Sequence, residues 1–329
     1  MSIDGAGPSA DHRGAEPQVT VAPARVLRAG PHRLALGQRP LVMGILNATP
    51  DSFSDAGLYA TLEARLERAS QLLEAGADII DVGGESAVTN RPAVSTTEEI
   101  ERVVELIERV AGELGAIVSI DTYKAPVAKA AIAAGACIVN DTSGLRDPAL
   151  ADVCGESGAA LVLMHTRAEP KRRQRDPSYD DVAADVEQFL RARIELARSH
   201  GVASEQLILD PGPDFAKTPA QTVTTLRALR RLHALGRPLL LALSRKDFVG
   251  AILGRSPRER LAGTLAAIGV TADAGAHIFR VHDVRETTDF LAVRAVLRGY
   301  DSLAAELRLS DELRWEPQRN EASDDQRLA

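Results

Sequence analysis

Apolar and polar positions recur along the chain in a fixed order: a short apolar run, one or two polar residues, then a stretch with helical spacing. Residues 41–46 run into Asn47, 77–80 into Asp81, 117–120 into Asp121, and 136–139 into Asn140 and Asp141. Further on, 160–164 ends at His165 and 207–209 at Asp210. Residues 239–243 end at Ser244-Arg245-Lys246, and 277–279 at Arg280 and His282. Near-continuous apolar runs of this length suit parallel strands buried on both faces. Eight of them, each followed by a helical stretch, predict an α/β protein, a single-domain (β/α)8 TIM barrel. In such a barrel the chemistry sits at the C-terminal ends of the strands, where all these polar residues fall.

The gaps carry helix signals. Leu62, Leu66, Ala69 and Leu73 keep helical spacing across residues 61–75. Thr96-Thr97-Glu98-Glu99 opens a helix with acidic residues where the dipole favours them. Residues 190–200 read as a helix stopped by Gly201. Ahead of the barrel, Val26-Leu27-Arg28 and residues 33–36 flank Gly30-Pro31 and predict a hairpin that plugs the barrel bottom. The expected organisation is a disordered tail over 1–22, a barrel domain over 23–308 and a polar C-terminal tail over 309–329.

Composition narrows the function. A net charge of −7 and 3% aromatic residues argue against nucleic-acid partners. No run approaches the ~20 apolar residues of a membrane span, and no basic-then-apolar leader opens the chain. The expectation is a cytoplasmic protein without a membrane partner. Cys137, placed in a strand, and Cys154, placed in the next helix, fit no metal or redox spacing and read as small buried hydrophobes.

The strand-end set is Asn47, Asp81, Asp121, Asn140, Asp210, Lys246, Arg280 and His282. Carboxylates and amides read the donor and acceptor edge of a flat heterocycle. Arg280 and His282, two residues apart on a strand, are expected to point to one side and to suit an anion. Asn47 offers a neutral oxygen to a hard cation such as Mg2+ riding on substrate phosphates. The residues describe an enzyme for a planar polar substrate carrying a phosphate or diphosphate. Each string also fits a plainer role. Asp81 suits a turn cap, Asp210-Pro211-Gly212 a turn and Asn47-Ala48-Thr49-Pro50 a loop. Lys246 suits the surface, and His282 or His165 a structural position. The run Lys171-Arg172-Arg173-Gln174-Arg175 reads as a solvated loop.

Residues 43–55 (Met-Gly-Ile-Leu-Asn-Ala-Thr-Pro-Asp-Ser-Phe-Ser-Asp) resemble the first signature of the dihydropteroate synthases, and residues 75–86 resemble the second. Ser119-Ile120-Asp121-Thr122-Tyr123-Lys124, Val139-Asn140-Asp141, Leu163-Met164-His165, Asp210-Pro211-Gly212, Leu243-Ser244-Arg245-Lys246 and Phe279-Arg280-Val281-His282 continue the likeness in order, over about residues 34–300. The resemblance implies condensation of 6-hydroxymethyl-7,8-dihydropterin diphosphate with the amine acceptor para-aminobenzoate, with loss of pyrophosphate. It implies that Asp121, Asn140, Asp210 and Lys246 hold the pterin, with Asp81 and Met164 lining its slot and Phe215 also touching substrate. It further implies Mg2+ on Asn47, diphosphate on Arg280 and His282, and a homodimer formed through outer helices. Asp81, Lys246, Arg280 and His282 are the residues assigned to catalysis.

The chain departs from the family pattern at three places. Ala87-Val88 stands where the family has Thr-Arg, Asp247 where it has Ser, and Asp214-Phe215-Ala216-Lys217 where it has Gly-Phe-Gly-Lys. All three fall on the acceptor side. An ionised Asp247 beside a benzoate carboxylate is repulsive. The alternatives are therefore a paralogue with a different amine acceptor, or a non-catalytic pterin-binding protein. A corrinoid-dependent methyltransferase relative is disfavoured by the diphosphate-type Arg280-Val281-His282 string.

Overall fold

The computed structural model describes residues 26–48, 61–86, 92–172, 174 and 177–315; the expected tail over 1–22 and residues 316–329 lie outside them. Eight parallel strands form one sheet: β3 (Leu41–Asn47), β4 (Ile79–Gly83), β5 (Val118–Asp121), β6 (Ile138–Asp141), β7 (Ala160–Met164), β8 (Leu207–Asp210), β9 (Leu240–Leu241) and β10 (Ile278–Val281). They are preceded by the hairpin β1 (Val26–Ala29) and β2 (His32–Ala35). The sheet order is β8-β7-β6-β5-β4-β3-β10-β9, and a parallel bridge from Leu209 to Leu239 closes the ring.

The outer layer comprises α1 (Leu62–Glu74), α2 (Thr96–Gly112), α3 (Ala125–Ala133), α4 (Ala149–Ser157), α5 (Val182–Ser199), α6 (Pro219–Arg227), α7 (Leu229–Leu232), α8 (Asp247–Leu253), α9 (Leu261–Asp273) and α10 (Val284–Leu297). Their starts follow from local chemistry. Thr61 Oγ1 accepts from Ala64 N at 3.2 Å, and Ser95 Oγ accepts from Glu98 N at 3.2 Å, so each cap satisfies an otherwise orphaned amide. The helix read over 190–200 starts earlier, at Val182, because Asp181 caps the amides of Ala183 and Ala184. It stops before Gly201, which has φ 86°.

Two apolar cores hold the barrel. One lies between sheet and helices. The other contains Met43, Ile79, Ile138, Val162, Ile208, Leu240 and Ile278, together with Leu27 and Ala29 of the hairpin. Residues from strands all round the ring can meet only inside it, so the hairpin plugs the barrel bottom as its sequence predicts. Leu27 is fully buried there, and truncation to Ala should cost about 2–5 kcal/mol.

Several expectations need correction. The apolar run at 239–243 makes a strand of only Leu240–Leu241, because the chain turns immediately through Arg245 at φ 58°. Arg280 lies within β10 rather than past its end. Cys137 falls one residue before β6, although both cysteines are buried and unpaired as expected. Residues 311–313 form an exposed 3-10 turn within the expected polar tail. Among the described residues no helix is long and apolar enough to cross a membrane.

Candidate active site

The strands bring four of the expected residues, Asp81, Asp121, Asn140 and Arg280, into one hydrogen-bonded junction, with Asp210 close to Arg280. Arg280 donates Nε to Asp81 Oδ2 at 2.6 Å and Nη2 to Asp121 Oδ2 at 2.7 Å. Asn140, registered beside Asp121, donates Nδ2 to the same Asp81 oxygen at 3.2 Å. Asp81 is fully buried, and its Oδ1 has no hydrogen-bond partner among the described residues. Asp210 accepts from Gly212 N at 2.7 Å. Burial pushes its pKa up to about 6, against the pull of the Gly212 amide and of Lys246. Burial likewise raises the Asp121 carboxyl, opposed by Arg280.

Arg280 and His282 do not act as a simple pair. The guanidinium turns to the two carboxylates, while His282 Nδ1 meets Ser244 Oγ at 3.0 Å. Met164, at the end of β7, is buried. Lys246 immediately precedes α8, with its ammonium 4.3 Å from the Phe215 ring centre; burial lowers its pKa.

Above this floor opens a cavity of about 700 Å³, walled by Glu85, Asp121, Tyr123, Lys171, Phe215 and Lys246 among others. The wall carries ion pairs that sequence reading missed. Lys124 Nζ donates to Glu85 Oε2 at 2.7 Å, to Glu99 Oε2 at 2.6 Å and to the Val94 carbonyl at 2.6 Å. Glu99 is 1% exposed, so it does more than complement the dipole of α2. Its apolar neighbours at helical spacing were the available signal. Lys171 is not solvated: its ammonium donates to the Ser86 carbonyl at 2.5 Å and lies 3.3 Å from Glu85. A left-handed turn at φ 61° brings it over the mouth. Ala87, Val88 and Arg91 lie outside the described residues.

The acceptor-side departures look different in three dimensions. The Asp247 side chain is 78% exposed and pairs with Arg260 Nη1 at 3.0 Å, so its charge has a partner. Arg260 also donates to the Arg245 and Arg255 carbonyls, each at 2.9 Å. Asp214 and Ala216 take φ of 64° and 47°, the region where glycine is at ease. The lost glycines therefore leave strain that neighbouring hydrogen bonds must hold. His165 is fully buried against Asp185 and Lys217. Burial, then the Lys217 charge, lowers its pKa to about 4, which keeps the ring neutral.

Among the described residues no group of three or more His, Cys, Asp or Glu is placed to hold a metal. Asn47 ends β3 beside Gly83 of β4, at the rim of the floor. One neutral amide oxygen suits a cation that keeps its waters and takes its other oxygens from a diphosphate. As a whole the site offers acceptors for ring N–H groups, a guanidinium and imidazole for an anion, and an open chamber for a second reactant.

Residues 43–282 match the family model described as Pterin binding enzyme. The dihydropteroate synthase of Synechocystis sp. is 44% identical over 263 residues, covering 79% of this chain and 91% of the relative. That of Escherichia coli is 41% identical over 254 residues, covering 77% and 90%. The Xanthomonas albilineans dihydropteroate synthase with 4-aminobenzoic acid superposes with a TM-score of 0.77 at 42% identity, covering 84% of this chain and 98% of that one. The same protein with 7,8-dihydropteroate gives 0.75 at 42% identity, covering 83% and 98%.

Proposed function

This chain belongs to the dihydropteroate synthase family of pterin-binding enzymes, and from that premise we propose how its pocket divides the work. The reaction joins 6-hydroxymethyl-7,8-dihydropterin diphosphate to para-aminobenzoate in folate synthesis and releases pyrophosphate. The bond from the pterin methylene to the diphosphate oxygen breaks, its electron pair leaving with the diphosphate. The arylamine nitrogen bonds to the methylene carbon and gives up a proton.

The junction of Arg280 with Asp81 and Asp121 carries the reading of the site. In our reading Asp121 and Lys246, which border the chamber, hold the pterin ring together with the buried Asn140 and Asp210, and Asp81 Oδ1, without a partner among the described residues, accepts one of its N–H groups. Met164 and Phe215 line the ring's slot. Ring N–H groups taking Asp121 compete with its bond to Arg280, which would release part of the guanidinium toward the diphosphate. Ground-state pairing thus becomes charge stabilisation at the departing oxygens, aimed by a fixed protein dipole. His282 would share that anion. Asn47 would contribute one ligand to Mg2+, which when bound offsets diphosphate charge. The 4-aminobenzoate would occupy the chamber bordered by Lys171, Phe215 and Lys246.

We also propose a cytoplasmic homodimer. Val270 of α9 and Val293 and Leu297 of α10 are 71%, 60% and 81% exposed on neighbouring helices, an apolar face suited to a second copy. The test of function is pyrophosphate release by the purified protein with Mg2+ and the pterin diphosphate, with and without para-aminobenzoate. Release that depends on the arylamine, with dihydropteroate formed, supports the reading. Tight pterin binding without arylamine-dependent release would favour a non-catalytic binder.

A further inference from the structure

From the chamber wall inward runs a buried chain of titratable groups, Lys217, His165 and Asp185, that the reaction as described does not use. His165 presents Nε2 to Asp185 Oδ1 at 2.9 Å and Nδ1 to the Lys217 ammonium at 2.7 Å. Between a carboxylate and an ammonium the neutral ring takes one tautomer: Nε2–H donates to Asp185, and Nδ1 accepts from Lys217. Lys217, 7% exposed, also donates to the Gly212 carbonyl at 2.9 Å and the Phe215 carbonyl at 3.2 Å. Burial lowers the Lys217 pKa to about 7 against the pull of Asp210 and Asp185, and in the protonated form all three ammonium hydrogens have acceptors, two of them in the segment that joins Asp210 to Phe215.

That segment needs holding. Gly212, Asp214 and Ala216 have φ of 64°, 64° and 47°. Each non-glycine residue held there costs on the order of 1 kcal/mol. At Gly212 an added Cβ would stand 2.0 Å from the His165 carbonyl oxygen, so the chain runs too close to β7 for any side chain. Further contacts secure the other flank. The Tyr179 hydroxyl donates to the Ala216 carbonyl at 2.7 Å. Thr222 Oγ1 accepts from Asp214 N at 3.1 Å and donates to Asp214 Oδ1 at 3.0 Å. Arg167 pairs with Asp185 and lies 4.2 Å from the Tyr179 ring centre, linking the two flanks. The segment carries Phe215 against Lys246 in the chamber.

We infer that Lys217 is a positioning residue for the condensation: its three hydrogen bonds fix residues 212–216 and so set Phe215, and the ammonium of Lys246 beside it, against the reactants. The inference rests on reading the chamber as the site of that reaction. Lys217 also borders the chamber, but its ammonium hydrogens are taken by His165 and the Gly212 and Phe215 carbonyls, so it acts through the loop.

The experiment is steady-state pyrophosphate release by full-length wild type, Lys217→Met, Lys217→Gln, Tyr179→Phe, Phe215→Ala and the double Lys217→Met/Phe215→Ala. Lys217→Met should lower kcat/KM by about 100-fold, the scale of a 1 Å misplacement. Most of the loss should appear as a raised KM for para-aminobenzoate, because β8 still holds Asp210 for the pterin. Lys217→Gln, which keeps two donors, should recover part of that KM. Tyr179→Phe should move it in the same direction by less, and it keeps the test open if Lys217→Met fails to fold. The double variant should be no worse than Phe215→Ala alone. Loss of activity only in proportion to folded protein, with KM unmoved, overturns the inference. So do additive losses in the double variant. Wild type without arylamine-dependent turnover would instead overturn the reading of the chamber, and the inference with it.

Discussion

The floor of the site and its wall are built by different means. The floor consists of Asp81, Asp121, Asn140, Asp210 and Arg280, all on strands whose register fixes their spacing. The wall consists of Glu85, Lys171, Phe215 and Asp247, on connections after those strands or at the first turn of a short helix, and it is tied by ion pairs and hydrogen bonds from loop to loop. The departures that fall among the described residues, Asp214, Ala216 and Asp247, lie on the wall. In the proposed arrangement rigid strands hold the pterin, while adaptable connections hold the incoming arylamine. A change in the floor should therefore damage the chemistry, and a change in the wall should shift affinity.

The strongest way to break this contrast is Arg280→Met. It removes the guanidinium proposed to stabilise the diphosphate and leaves Asp81 and Asp121 uncompensated. Loss of one such donor costs about 100- to 1,000-fold in kcat, and stranded carboxylates cost about 3–5 kcal/mol in stability. Pyrophosphate release and thermal melting read the two effects separately. A variant with wild-type kcat would remove Arg280 from the chemistry.

Acidity tests the floor next. The folded pKa of Asp210, about 6, stands above the ordinary 3.8, so the fold binds this proton more tightly than the unfolded chain does. Its contribution to stability is complete below about pH 4 and is lost as the pH rises through 6. Activity runs the other way, because only the ionised carboxylate accepts two ring N–H groups. The kcat/KM for the pterin diphosphate should climb by up to about tenfold per pH unit below 6 and keep a shallower rise to about 7, where burial places Asp121. Asp210→Asn should abolish the climb attributable to this group. A flat wild-type profile from about pH 5 to 7 contradicts the assignment.

The smallest effect belongs to the wall. Asp247 is exposed and already paired with Arg260, so Asp247→Ser should change the KM for para-aminobenzoate by less than about fivefold, the ceiling of a surface ion pair near 1 kcal/mol. For the same reason a sulfonamide mimic of para-aminobenzoate should inhibit normally. A large gain in arylamine affinity from Asp247→Ser would restore the repulsion that the sequence suggests.

The floor was legible in the sequence because a strand's period and its C-terminal end place side chains by geometry alone. Asn47, Asp121 and Asp210 end their strands as their apolar runs predict, whereas Asn140 lies one residue and Asp81 two residues short of the end of theirs. The wall was not legible because its partners are distant in sequence and chosen by loop conformation. Lys124 pairs with Glu85 and Glu99 from 39 and 25 residues away. Lys171 reaches Ser86 across 85 residues, through a left-handed backbone that a basic run does not announce. The orientation of Arg280 was missed for a related reason: two fixed carboxylates across the barrel mouth outweigh the side-by-side arrangement suggested by strand alternation. Asp247 illustrates the converse. Its identity signals repulsion, but Arg260, 13 residues on, cancels much of it.

The hairpin at the other end of the barrel sets the traffic of the reaction. Leu27 and Ala29 cork the tube at the bottom, so among the described residues the chamber opens at the loop end. Two reactants and two products share that opening. In the proposed arrangement the reactant held on the floor arrives before the one that sits above it, and the larger product withdraws only once its outer half has let go. Turnover is then a queue, and its pace depends on the wall as much as on the bond being broken.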